Sequence, residues 1–185
     1  MSKSTIALTL AAASLVVFSP VCADAQLLGT VNFVVLHVTF SDFGTGTRFT
    51  TAQVQTNFNN IATLWGNQSS YGNINIQYQF GGPYQVASAS GTYLDQQGGQ
   101  FSSNAAILQL IKDAVAGSPN TINWTNVYGV VVLFGDSRAG GFYRGVTWPG
   151  TTSINPPAGG TFNVHASIVG EAPLEDVTTT WSLGA

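Results

Sequence analysis

Charge is scarce in this chain. Asp, Glu, Lys and Arg together make up 7% of its 185 residues, against roughly 25% in an ordinary globular protein. Five basic residues face eight acidic ones, for a formal net charge of −3. That balance excludes a basic nucleic-acid footprint and a polyelectrolyte tail. Cysteine is nearly absent, with Cys22 the only one, and histidine is limited to His37 and His165. A zinc site needs at least three protein ligands, usually two of them at short spacing, so none is written in the chain as given. No stretch matches G-x-G-x-x-G or G-x-x-x-x-G-K-[ST], so nucleotide binding has no support in the sequence. There is no internal repeat, heptad pattern or interdomain linker.

Apolar residues are 44% of the chain, so it is not of the disordered, charge-rich type. Its polar load is carried by Asn, Gln, Ser, Thr and Gly, a neutral surface that suits a secreted protein. The N-terminus agrees. Lys3 supplies a positive start, Thr5 to Ser19 is apolar and small, and Ala23-Asp24-Ala25 closes the run. A short apolar run ending in A-x-A is a secretory signal peptide, too short to span a bilayer at ~18–20 residues. Residues 1–25 are therefore read as signal and 26–185 as one domain, with the mature protein extracellular and off the membrane. Cys22 leaves with the signal, so the mature chain has neither disulfide nor thiol catalysis. About 160 residues remain, enough to hold together by a core alone. Asn67-Gln68-Ser69 and Asn123-Trp124-Thr125 are glycosylation sequons that matter only in a eukaryotic host.

Along the mature chain, Val31 to Phe40 is apolar on both faces and β-branched, which predicts a central strand. Thr50 or Thr51 caps a helix, with Gln53 three residues after Thr50 as in a capping box. Val54, Phe58, Ile61 and Leu64/Trp65 recur at helical spacing. Asn73 to Phe80 alternates and predicts a strand with one buried face. Gly81 to Gln100 reads as loop with a short strand near Tyr84–Ala87. Ser102 or Ser103 caps a second helix with Ile107, Leu108, Ile111, Ala114 and Val115 on its apolar face. Val127 to Phe134 is a second fully apolar strand, and Gly135 to Gly160 is a long Gly/Pro-rich loop. Phe162 to Ile168 alternates, with Asn163, His165 and Ser167 on its polar face. Glu171 to Asp176 is a turn, and Asp176 caps a last helix from Val177. The alternation predicts an α/β fold: a twisted, mostly parallel sheet of about four to five strands with two to three helices.

Few residues carry chemistry. His37 lies inside the first strand and reads as a buried, hydrogen-bonded core histidine. Asp42, just after the first strand, reads as a local turn former, with ligation of a cation as the alternative. Asp95, Asp113, Glu171, Glu175 and Asp176 are scattered, and Glu175-Asp176 fits a helix N-terminus better than a catalytic pair. Val-Val-Val-Leu-Phe-Gly135-Asp136-Ser137 resembles the nucleophile block of GDSL-type esterases. That resemblance implies Ser137 as nucleophile and His165 as its base. The block comes late in the chain, and the family's D-x-x-H near the C-terminus is missing.

Several blocks in order resemble the N-terminal half of secreted zinc metallopeptidases of the gametolysin-like and immune-inhibitor-A-like type. They are Val34 to Asp42, an apolar strand ending in F-x-D; Phe49 to Val54, opening the first helix; and Gln68-Ser-Ser-Tyr-Gly72. After them come Val130 to Phe134 followed by Gly141 to Gly145, and Thr179-Thr-Trp-Ser-Leu-Gly-Ala185. In those families a Trp-containing helix start of the last kind runs into H-E-x-x-H, whose two histidines bind zinc while the glutamate acts as general base. Here the motif is absent, so no catalytic residue carries over and no metal ligand is assigned. The resemblance implies a zincin-like N-terminal subdomain with an antiparallel edge strand that takes extended polypeptide by strand addition. Phe162 to Ile168 is the candidate strand, with Asn163, Val164, His165, Ala166 and Ser167 touching substrate. The chain is thus expected to be the front part of an incomplete metallopeptidase-like domain, ending just before its zinc motif and inactive as given. Zinc is expected only in a longer parent chain. The alternatives are a secreted esterase using Ser137 and His165, and a non-enzymatic module that binds glycans or a cell surface.

Overall fold

The computed structural model describes residues 29–42, 47–95, 101–135 and 145–171. The expected signal peptide, Ser137 and the helix expected from Val177 lie outside the described residues. In chain order the elements are β1 (Gly29–Thr39), α1 (Thr51–Ile61), a π-helical stretch (Ala62–Ser69), β2 (Ile74–Gln85) and α2 (Asn104–Ala116). They are followed by β3 (Val127–Phe134), β4 (Val146–Thr147), β5 (Thr152–Ile154) and β6 (Phe162–Gly170).

These strands form one six-stranded sheet in the order β2-β1-β3-β6-β4, with β5 also on β6. β2, β1, β3 and β6 run parallel, and β4 and β5 are antiparallel to β6. The expected architecture, a mostly parallel α/β sheet with an antiparallel edge, is the one found. β1 is central because its two faces are both apolar. Val34, Leu36 and Val38 face α2 together with Val130, Val132, Val164, Ala166 and Ile168. Val35 faces the other way, where Val54 and Phe58 of α1 pack on it with Leu133 and Val169. The helix starts are those written in the sequence. Thr50 and Gln53 form a reciprocal capping box at α1, and the Ser103 side chain accepts from the Ala106 N–H at α2. Leu110 is fully buried in α2, while Leu108 lies half-exposed beside that face. None of the helices among the described residues is long and apolar enough to cross a membrane.

Three readings change. The predicted strand Asn73 to Phe80 and the short strand after it are one element, β2, because glycine lets the chain cross close over β1. A Cβ on Gly82 would lie 2.1 Å from the His37 carbonyl oxygen, and Gly82 has φ +109°. There the register of β1 with β2 slips between Leu36 and Val38. Second, the segment Gly135 to Gly160 contains β4 and β5, strands of two and three residues, too short to show a periodicity. Third, Phe162 to Ile168 is not an edge strand. Parallel β3 lies on one side of β6, and β4 and β5 cover the other.

Side-chain packing reaches across the sheet near its amino end. β3 carries an irregularity at Tyr128, between the Asn32–Val127 and Phe33–Gly129 pairs. Tyr128 thereby comes to lie against Phe33 (5.6 Å between ring centres) and His165 (4.6 Å). The Phe33 ring covers Gly129, where a Cβ would approach it to 2.7 Å.

Candidate functional site

Open parallel sheets present ligands and catalytic groups at the carboxyl ends of their strands, where the chain's path reverses direction across the sheet. Here that point lies between β1 and β3, since the chain passes from β1 to β2 on one side and then crosses to β3 on the other. Three residues converge there. His37 is near the end of β1, paired in register with Leu133. Gly135 follows β3, and its N–H donates to the Val38 carbonyl. Glu171 follows β6, and its N–H donates to the Phe134 carbonyl.

The His37 and Glu171 side chains meet. His37 Nε2 lies 2.6 Å from Glu171 Oε1, with both residues almost fully buried. The other carboxylate oxygen, Oε2, accepts the Arg48 backbone N–H at 2.9 Å, two residues before the Thr50 cap of α1. Gly135 leaves room for this carboxylate, because a Cβ there would sit 3.3 Å from Oε2. One buried side chain thus joins β1, the approach to α1, and the end of β6. With both oxygens engaged, the carboxylate is a clamp and not an available general base. His37 Nδ1 is buried with no hydrogen-bond partner among the described residues.

His37 is the buried, bonded histidine that the sequence predicts. Glu171, placed in a turn by sequence reasoning, is the residue that was missed. Its signal was position: an acid directly after a strand in a chain with only eight Asp and Glu. Asp42 does not serve only its own turn, since its carboxylate accepts both the N–H (2.8 Å) and the hydroxyl (2.6 Å) of Ser90.

The remaining predicted residues do not assemble into one site. Asn163, His165 and Ser167 alternate with Val164 and Ala166 on β6. Val164 and Ala166 are buried in the core under α2, out of reach of any substrate. Asn163 accepts from the Ser153 hydroxyl at 2.6 Å, and Ser167 lies 3.1 Å from the Thr147 hydroxyl. Their strand has no open edge, which corrects its reading as an edge strand. Ser137 lies outside the described residues, so of the expected Ser137–His165 pair only His165 is placed, on β6 opposite Gly129.

Among the described residues no group of three or more His, Cys, Asp or Glu could hold a metal ion. His37 and Glu171 are spent on each other and on Arg48, so they do not fit a zinc site. Three tyrosines are kept neutral well above their ordinary range. Burial pushes Tyr78 up to about 12 and Tyr84 higher still. Tyr93 rises to about 12 through burial first and then through its bond to the Asp113 carboxylate (2.6 Å). Comparison with protein-family models, with curated proteins and with solved structures finds no match for this chain.

Proposed function

We propose that this chain is the sheet-bearing front portion of a secreted zinc endopeptidase and that it is inactive as given. The reading rests on the order of the sequence blocks and on one structural observation. An antiparallel edge closes a mostly parallel sheet at β4, where the fold implied by the resemblance has its substrate-binding strand. The Trp148 N–H donates to the Ala166 carbonyl at 2.8 Å. By the alternation of an antiparallel ladder, Thr147 therefore turns its own N–H and C=O away from β6. Those two groups are the ones an extended polypeptide would meet by strand addition. Thr147 replaces Asn163 to Ser167 as the contact residue in this proposal. The zinc ligands and the general base belong to a longer parent chain, and no step of hydrolysis is assigned to residues of this one.

The test is the nucleotide sequence that follows the Ala185 codon. An in-frame H-E-x-x-H within a few codons, with zinc content and peptide hydrolysis in the extended protein, is the expected result. A frame that continues without the motif, or an extended protein that carries zinc and cleaves no peptide, would sink the proposal. The chain as given should bind no stoichiometric zinc after dialysis against the metal.

A further inference from the structure

At the other side of the sheet, β2 is an edge strand of 12 residues whose only sheet partner among the described residues is β1. The Gly29 N–H donates to the Asn73 carbonyl, and Gly29 pairs with Ile74. In a parallel ladder this sets Asn75, Gln77 and Gln79 to bond β1, and turns the N–H and C=O of Ile74, Ile76, Tyr78 and Phe80 outward. The start of this edge is covered. Gly66 of the π-helical stretch presses on it, so that a Cβ there would lie 3.0 Å from the Ile74 oxygen and 3.3 Å from the Ile76 nitrogen. The far end is broken by the register slip at Gly82-Pro83. Between them, the backbone groups of Tyr78 and Phe80 have no hydrogen-bond partner among the described residues.

Native edges are usually blunted by charge, proline or a covering element. From Ile74 to Gln85 there is no Asp, Glu, Lys or Arg, and the one proline, Pro83, lies beyond the open stretch. The stretch is also self-complementary. Laid antiparallel to a copy of itself about a two-fold axis at Gln79, Tyr78 comes opposite Phe80 of the copy, and Phe80 opposite Tyr78. Each such pair exchanges two backbone hydrogen bonds. Their rings project on the α1 side, where Tyr78 and Phe80 already lie 6.0 Å apart between centres, and aromatic cross-strand pairs are favourable. Where Gly66 ends the pairing in one copy, the Gly82-Pro83 slip ends it in the other. An isologous contact requires this kind of self-matching.

We propose that a second copy of this chain pairs through the β2 edge, over Gln77 to Gly81, to make one sheet continuous through a two-fold dimer. The inference stands independently of the peptidase reading. With a short paired stretch, the dimer is concentration-dependent.

The test uses the full chain with Cys22→Ser, which then carries no thiol. Gln79 sits on the axis as a non-hydrogen-bonded pair, about 4.5 Å between Cα atoms, inside the range that a disulfide spans. Gln79→Cys should cross-link to itself under mild oxidation, and Gln77→Cys, off the axis, should lag well behind it. Sedimentation equilibrium should show a monomer–dimer transition for the parent and for Gln79→Ala, and monomer for Gln79→Lys, which places like charges opposite each other. The alanine variant loses the same bonds to Asn123 as the lysine one, so their difference reads the interface and not the fold. A parent chain that stays monomeric and a Gln79→Cys that does not cross-link would overturn the proposal. So would a dimer indifferent to Gln79→Lys, or a monomer that takes an unrelated extended peptide on this edge.

Discussion

Glu171 and His37 are bonded at 2.6 Å although their strands are not neighbours, since β3 lies between β1 and β6. The carboxylate reaches across the end of β3, over Gly135, to close the contact. A buried pair of this kind need not add net stability, but removing one member strands the other.

Glu171→Ala should therefore lower the unfolding free energy by about 1–3 kcal/mol, the usual cost of leaving a buried hydrogen-bonding group unsatisfied. Urea titration checks it. Replacing both residues by apolar ones of similar size, Glu171→Leu with His37→Phe, should recover much of the loss. A single-variant effect below about 0.5 kcal/mol would mean that the clamp carries no weight.

Gly82→Ala should be far more damaging than Gly91→Ala. At Gly82 the new methyl meets the His37 carbonyl oxygen and the backbone has φ +109°, while nothing lies within 4 Å of a Cβ at Gly91. Soluble yield and thermal midpoint compare the two. Equal behaviour would contradict the close crossing of β2 over β1.

Alkaline pH should destabilise the fold through its tyrosines. Tyr78 and Tyr93 ionise at about 12 when folded, against 10.0 for the free side chain. Their contribution is complete below the unfolded value and is lost as pH rises from there through the folded one. Stability should fall between pH 10 and about 12, with late phenolate absorbance as the direct signal. Tyr78→Phe should flatten part of that decline.

Thr50→Ala should cost about 1 kcal/mol, the usual value of an N-cap, because Thr50 accepts the Gln53 N–H and Gln53 returns the bond to the Thr50 N–H. Thr56→Ala, at an exposed position within α1, should change stability by a few tenths at most or raise it slightly. Equal losses would count against the capping box.

What could be read in advance was whatever repeats along the chain. β1 and β3 are apolar runs, α1 and α2 carry their caps beside a periodic face, and β6 alternates, so all five elements were legible. Features made by tertiary approach were not. The first half of β2 was read as a strand, but its continuation passes through two glycines and a proline that read locally as a loop, and only the neighbouring His37 carbonyl explains why glycine is needed there. β4 and β5 exist because β6 offers them an edge, and two or three residues hold no period of their own. The role of Glu171 depended on a partner 134 positions away, and no local spacing announces such a pair.

That separation has a bearing on the order of folding. β1 is the first described strand of the sheet, yet its pairing with β3 waits for Val127–Phe134 and its bond to Glu171 for the last described residue. Contacts between distant parts of a chain form slowly, because loop closure must precede the reward. A chain still lacking its β6 end holds His37 without its acid and β3 without its outer neighbour. The sheet and its buried pair are therefore complete only once the strand that carries Glu171 is in place.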